Sequence, residues 1–76
     1  MKAEGQRQGV PDLTLPVPSG SYHGLFIELK RVKGGRVSPE QKDWLAFLSG
    51  QGYRAEVCKG AVEAIAVINE YLASDS

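Results

Sequence analysis

Apolar and polar positions alternate with period two over Gly24-Leu25-Phe26-Ile27-Glu28-Leu29-Lys30. With its β-branched and aromatic residues, this alternation predicts a strand. Leu25, Ile27 and Leu29 fall on one face and can cover a core; Phe26, Glu28 and Lys30 fall on the other, so an acid and an amine project side by side. Upstream, residues 10–15 predict a second short strand, with Leu13 and Leu15 towards the core and Asp12 and Thr14 opposite. Pro11 cannot donate to a sheet ladder and belongs at the strand's first position. Residues 16–21 are turn chemistry, short enough for a hairpin-like reversal. Antiparallel pairing then carries Asp12 towards Glu28.

Downstream the period changes to that of a helix. Ser38-Pro39-Glu40-Gln41 is a helix start, with Ser38 as N-cap, Pro39 at the first position and Gln41 closing a capping box. The helix is expected to run to about Ser49, with Gly50 and Gly52 as stops. Trp44, Leu45 and Leu48 extend back at helical spacing to Gln41, which places Gln41 on the core-facing side. Residues 53–58 alternate as a third strand, with Tyr53, Ala55 and Val57 on one face. Its helix-crossed connection predicts a parallel neighbour for the central strand. A last helix opens after Lys59-Gly60, with Ala61, Ala64, Ile65, Ile68 and Leu72 as its sheet-facing stripe, widened by Val62 and Tyr71. Residues 1–9 read as the end of a helix running into a loop, with Gly5 as its stop, and residues 73–76 are expected to fray.

Length bounds the architecture. A chain of 76 residues makes one small domain that buries only about 60% of its unfolded surface, so association of subunits is expected to help it. No run of about 20 apolar residues exists to span a membrane, the first residues carry no signal-peptide pattern, and a cytoplasmic location is expected by default. The single cysteine, Cys58, excludes an internal disulfide framework and a Cys-rich zinc site, and is expected to pack as a small hydrophobe. Nine basic and nine acidic residues give a net charge of zero, which by itself argues against a nucleic-acid partner. Their distribution changes that picture. Lys30, Arg31, Lys33, Arg36 and Lys42 gather around the central strand and the loop after it, whereas Glu63, Glu70 and Asp75 lie far along the chain. Such a rim is either a solvated face or a seat for a phosphate backbone.

Two carboxylates about 4 Å apart repel by roughly 4 kcal/mol at an effective dielectric of 20. A divalent cation reverses that sign, and Mg²⁺ and Mn²⁺ prefer such oxygen donors. Glu28 beside Lys30, taken alone, is equally readable as a surface ion pair worth under about 1 kcal/mol. His23 shares the alternation of Leu25 and Ile27, on the face away from Glu28, which counts against a role as general base. Arg31-Val32-Lys33-Gly34-Gly35-Arg36-Val37 reads as a flexible basic loop whose glycines are not followed by Gly-Lys-Ser/Thr, so no phosphate-binding P-loop is present.

Pro11-Asp12, followed sixteen positions later by Glu28-Leu29-Lys30, resembles the PD-(D/E)xK nuclease signature. The segments Gly9-Val10-Pro11-Asp12-Leu13, Gly24 to Lys30, Ser38-Pro39-Glu40-Gln41 and Gly52-Tyr53 are similar to the virus-type replication-repair nuclease (VRR-NUC) domain of that superfamily. The likeness runs from about Gly5 to Leu72. It implies a minimal restriction-endonuclease-like α/β fold, a small mixed sheet flanked by helices, forming a single domain over residues 1–76. The first helix is abbreviated relative to the family, and Glu4 is the acid it retains. The resemblance further implies a Mg²⁺- or Mn²⁺-dependent endonuclease, in minimal forms active on branched DNA such as four-way junctions. Asp12, Glu28 and the Leu29 backbone carbonyl would hold the metal, Lys30 would act at the transition state, and Gln41 would assist. Arg31, Lys33, Arg36 and Lys42 would contact DNA. A homodimer with two sites is expected, because it matches the near two-fold symmetry of a junction. A non-catalytic DNA-binding or assembly module that keeps the fold is the alternative.

Overall fold

The computed structural model describes residues 11–73. Glu4, Gly5 and the expected first helix, the opening of the first strand at Val10, and the tail residues 74–76 lie outside the described residues. Strand β1 (Leu13–Leu15) runs antiparallel to β2 (Leu25–Lys30), with Leu13 opposite Ile27 and Leu15 opposite Leu25. Helix α1 (Pro39–Gly50) then crosses to β3 (Arg54–Lys59), which pairs parallel to β2, Glu28 lying opposite Val57. Helix α2 (Ala61–Ala73) closes the fold. The sheet order β1-β2-β3 is the small mixed α/β architecture that the alternating patterns predict.

The two faces of β2 receive different helices. Leu25, Ile27 and Cys58 join Ala64 and Tyr71 of α2 in the core, with Leu15, Leu29, Val67 and Ile68 packed around them. The opposite face carries Phe26, Glu28 and Lys30 and receives α1. Burying an apolar side chain of this size contributes about 1.5–3 kcal/mol, so Leu25 and Ile27 fix the strand's register. Cys58 sits in this core as the small hydrophobe expected of it.

Three expectations are corrected. The sheet-facing stripe of α2 is Ala64, Val67, Ile68 and Tyr71, with Tyr71 fully buried at 0% exposure, whereas Val62, Ile65 and Leu72 are 82%, 57% and 46% exposed. The helix is apolar on most sides, so its period alone does not select a face. Contacts of Tyr71 with the β1–β2 connection do: its hydroxyl donates to the Val17 carbonyl, and the Ser19 hydroxyl donates to the Tyr71 carbonyl. Leu13 stays 40% exposed, because α2 packs on β2 and β3 and leaves β1 at the sheet edge. His23 does not continue the strand's alternation. The chain bends before Gly24, and the imidazole meets Tyr53 edge-on at 5.8 Å, over Gly52. Gly52 has φ +95°, a region that glycine reaches without strain.

Candidate active site

Backbone direction builds the site first. Arg54 N–H bonds to the Gly24 carbonyl and Gly60 N–H to the Lys30 carbonyl, so even-numbered residues of β2 turn their backbone groups to β3. Odd-numbered residues turn theirs the other way, towards β1. Beyond the last β1–β2 pair, Leu13 with Ile27, the N–H of Leu29 would be left without a strand partner. Asp12 supplies one: its Oδ2 accepts from Leu29 N–H at 2.9 Å. The Leu29 carbonyl lies on the same edge as that N–H.

Glu28 is the centre of the arrangement. It is 3% exposed, which excludes the reading of Glu28 and Lys30 as a solvated surface pair. Its Oε2 accepts from Gln41 Nε2 at 2.7 Å and lies 3.6 Å from the Lys30 ammonium. Its Oε1 is buried and has no hydrogen-bond partner among the described residues. Burial pushes the Glu28 carboxyl above its ordinary value. The nearby Asp12 carboxylate raises it further, and Lys30 pulls it back. Asp12, Glu28, Lys30 and Gln41 are thus brought together from β1's leading edge, β2 and α1, and the charge of Asp12 opposes ionisation of Glu28.

Gln41 occupies both of the positions that its sequence context allows. Its Oε1 accepts from Ser38 N–H at 2.8 Å, and Ser38 Oγ accepts from Gln41 N–H at 3.1 Å, completing the capping box. With the amide oxygen held there, Nε2 is left facing Glu28.

The donor set fits a hard divalent cation. It is all oxygen, carries two adjacent carboxylates, and contains a buried carboxylate oxygen that nothing among the described residues satisfies, an omission worth about 1–3 kcal/mol. Among the described residues there is no group of three His, Cys, Asp or Glu side chains. Among the described residues the side chains available are two, Asp12 and Glu28, and the neighbouring Leu29 carbonyl is the backbone oxygen on that edge. Mg²⁺ characteristically binds through one or two carboxylates and retains several waters.

Gly35 is a site residue that the sequence pattern does not single out. A Cβ at this position would lie 2.8 Å from the Lys30 Cβ and 2.9 Å from the Arg31 carbonyl. The loop thus closes onto the stem of Lys30, and the pair Gly34-Gly35, read as flexible, is at its second residue a requirement for close approach. Arg31, Lys33, Arg36 and Lys42 are all exposed. No helix among the described residues is long and apolar enough to cross a membrane.

Residues 1–62 match the family model of the VRR-NUC domain. Two curated relatives are the Fanconi-associated nuclease 1 homologues of Caenorhabditis elegans and Caenorhabditis briggsae. They are 42% identical over 57 residues and 44% identical over 52 residues, covering 75% and 68% of this chain. The chain spans 6% of the length of each. A solved structure described as a VRR_NUC domain protein superposes with a TM-score of 0.90 at 37% identity, over 96% of this chain and 60% of that one.

Proposed function

The chain belongs to the VRR-NUC family of nuclease domains, and from that membership we propose that it is a Mg²⁺- or Mn²⁺-dependent DNA endonuclease acting on branched DNA such as four-way junctions. The observation that carries the reading is the buried Glu28 carboxylate beside Asp12, whose Oε1 has no hydrogen-bond partner among the described residues and whose Oε2 is within ion-pair reach of Lys30. Asp12, Glu28 and the Leu29 carbonyl would hold the cation. When bound, it lowers the pKa of water and polarises a phosphoryl oxygen.

The remaining work falls to side chains of this chain. Lys30, kept beside Glu28 by their ion pair, offsets the negative charge that develops on the phosphate oxygens as the nucleophile adds. Gln41 uses one Nε2 hydrogen to hold Glu28 in its rotamer; the second is available to a water or phosphate oxygen. Asp12 spans β1 and Leu29, so ligand geometry is tied to the sheet rather than to a loop. Arg31, Lys33, Arg36 and Lys42 supply exposed positive charge for the backbone, which positions DNA without reading its sequence. The working unit is a homodimer that presents two such sites to opposing strands.

Cleavage mapping on a junction with each strand labelled in turn tests this reading. Paired nicks on opposing strands, with weak activity on linear duplex, are expected. Equal cleavage of duplex and junction would overturn the branched-DNA assignment.

A further inference from the structure

The sheet face that carries Glu28 continues past it as a row of rings. Phe26 stands one strand period, about 7 Å, from Glu28 on the same side of β2. Parallel pairing sets Leu25 beside Arg54 and Phe26 beside Ala55, so Tyr53, one step earlier, comes beside Gly24 on that side as well. The Phe26 and Tyr53 rings meet edge to face at 5.2 Å, and Tyr53 meets His23 in the same manner at 5.8 Å. Thr14 of β1, which is exposed, stands opposite Phe26. Helix α1 packs on β2 and β3, and no described element covers β1 on this side.

Two glycines hold the rings in place. A Cβ at Gly24 would lie 3.3 Å from the Tyr53 ring, and one at Gly52 would lie 2.6 Å from the imidazole of His23. The rings therefore rest against backbone and are ordered before any ligand arrives, which lowers the entropy cost of binding on them. An edge-to-face pair occupies only one face of a ring. Phe26 and Tyr53 are half-buried and His23 is exposed, so the row keeps aromatic surface open to solvent. Asp12, Glu28 and Lys30 gather the charge of this stretch at its other end.

Continuity decides the occupant. On the proposed function, from which this inference proceeds, a phosphate seats at Asp12, Glu28 and Lys30. A phosphate within a strand brings a nucleoside with it on each side, and one of the two falls along the row. Rings offer its base a π surface, which the acid pair cannot. A protein partner has no such tether to the acid pair.

We infer that Phe26, propped by Tyr53 and His23, stacks on the base of a nucleotide next to the cleaved phosphate. A base inside a duplex is already stacked on its neighbours, so the contact goes to one that is unstacked, as at a branch. Every base has a π face, so the selection is for an unstacked base and not for a sequence.

Single-turnover cleavage of an end-labelled four-way junction, with metal, tests this on wild type, Phe26→Leu and Phe26→Tyr. Once the cut is mapped, each neighbouring nucleoside is replaced in turn by an abasic analogue. Wild type should slow by about tenfold or more at one of these positions, the scale of one base–aromatic stack, and should respond little to which base stands there. Phe26→Leu, folded by circular dichroism, should be as slow on the intact junction and lose nothing more on the abasic one, because ring and base act through one contact. Phe26→Tyr should restore both the rate and its dependence on the base. Equal rates for wild type and folded Phe26→Leu on the intact junction, or losses that multiply when ring and base are both removed, would overturn the assignment. If Phe26→Leu fails to fold, Tyr53→Leu, which removes the prop, decides by the same comparison. Absence of cutting by wild type under any metal is the failure of the nuclease reading and takes this inference with it, whereas cutting that ignores every abasic replacement is the failure of this inference alone.

Discussion

Gln41 donates Nε2–H to Glu28 Oε2 at 2.7 Å while its own Oε1 closes the cap of the helix on which it stands. One side chain therefore couples the start of α1 to the buried carboxylate of β2. The coupling makes a folding device also a positioning device: the helix cannot cap itself in this way without presenting an N–H to Glu28.

The two roles of Gln41 separate on substitution. Gln41→Ala loses both, at a cost of about 1–2 kcal/mol. Gln41→Glu retains an acceptor for Ser38 N–H but sets a third carboxylate against Glu28 and Asp12. Metal-free Gln41→Glu should therefore lose stability more steeply than Gln41→Ala as pH rises from about 5 to 8. Thermal melts at a series of pH values check this, and parallel pH curves for the two variants would show that Gln41 serves the cap alone.

Asp12→Asn preserves an oxygen for Leu29 N–H and removes a charge. Its fold should persist, and the rise in Tm that Mg²⁺ or Mn²⁺ gives wild type by binding only the folded site should vanish. Calorimetric titration and melts with and without metal measure it. An equal metal-induced shift in both proteins would remove Asp12 from the ligand set.

Glu28→Gln should trade function for stability. The raised carboxyl of Glu28 means that the fold favours its protonated form. This contribution to stability is complete below the unfolded value of about 4.5 and disappears as pH climbs through the raised value. Glutamine is neutral at every pH, and its amide can place an N–H where Oε1 now has no partner. At neutral pH and without metal the variant should be more stable by about 1 kcal/mol, or about 4–8 °C in Tm, with cleavage abolished. Differential scanning calorimetry from pH 4 to 8 checks both the sign and the disappearance of the slope.

Gly35→Ala tests the support beneath Lys30. The new methyl meets the Lys30 Cβ and the Arg31 backbone at 2.8–3.0 Å, so strand end or loop must shift, at about 1–3 kcal/mol. Cleavage should fall at least tenfold, mainly in kcat, while DNA affinity measured by anisotropy stays near wild type. Unchanged kcat would show that the Lys30 ammonium does not depend on this packing.

What was legible in the sequence is what local chemistry determines. The alternation of Leu25, Ile27 and Leu29 against Glu28 and Lys30 identifies β2, and Ser38-Pro39-Glu40-Gln41 identifies the start of α1. The approach of Asp12 to Glu28 follows from one hairpin. The depth of Glu28 was not legible, because it depends on α1 lying over that face of the sheet. Nor was the buried face of α2, where Ile65 and Leu72 are as apolar as Val67 and Ile68. Tyr71, whose phenol and carbonyl engage the Val17–Ser19 segment, determines it through contacts more than fifty residues apart in the chain. Gly35 reads as a flexible residue until the Lys30 stem is placed beside it.

The central claim is that Asp12, Glu28 and Lys30 form a metal-dependent phosphodiester-cleaving centre, and cleavage of an end-labelled four-way junction by wild type and Lys30→Ala tests it most directly. At equal protein concentration, with Mg²⁺, with Mn²⁺ and with chelator, wild type should cut only when metal is present. Lys30→Ala, folded and still binding the junction, should be slower by at least about 10²-fold, as expected when a group that stabilises transition-state charge is removed. Cutting by wild type in chelator, undiminished cutting by Lys30→Ala, or no cutting by wild type under any metal would contradict the account, the last leaving a DNA-binding module with a nuclease fold.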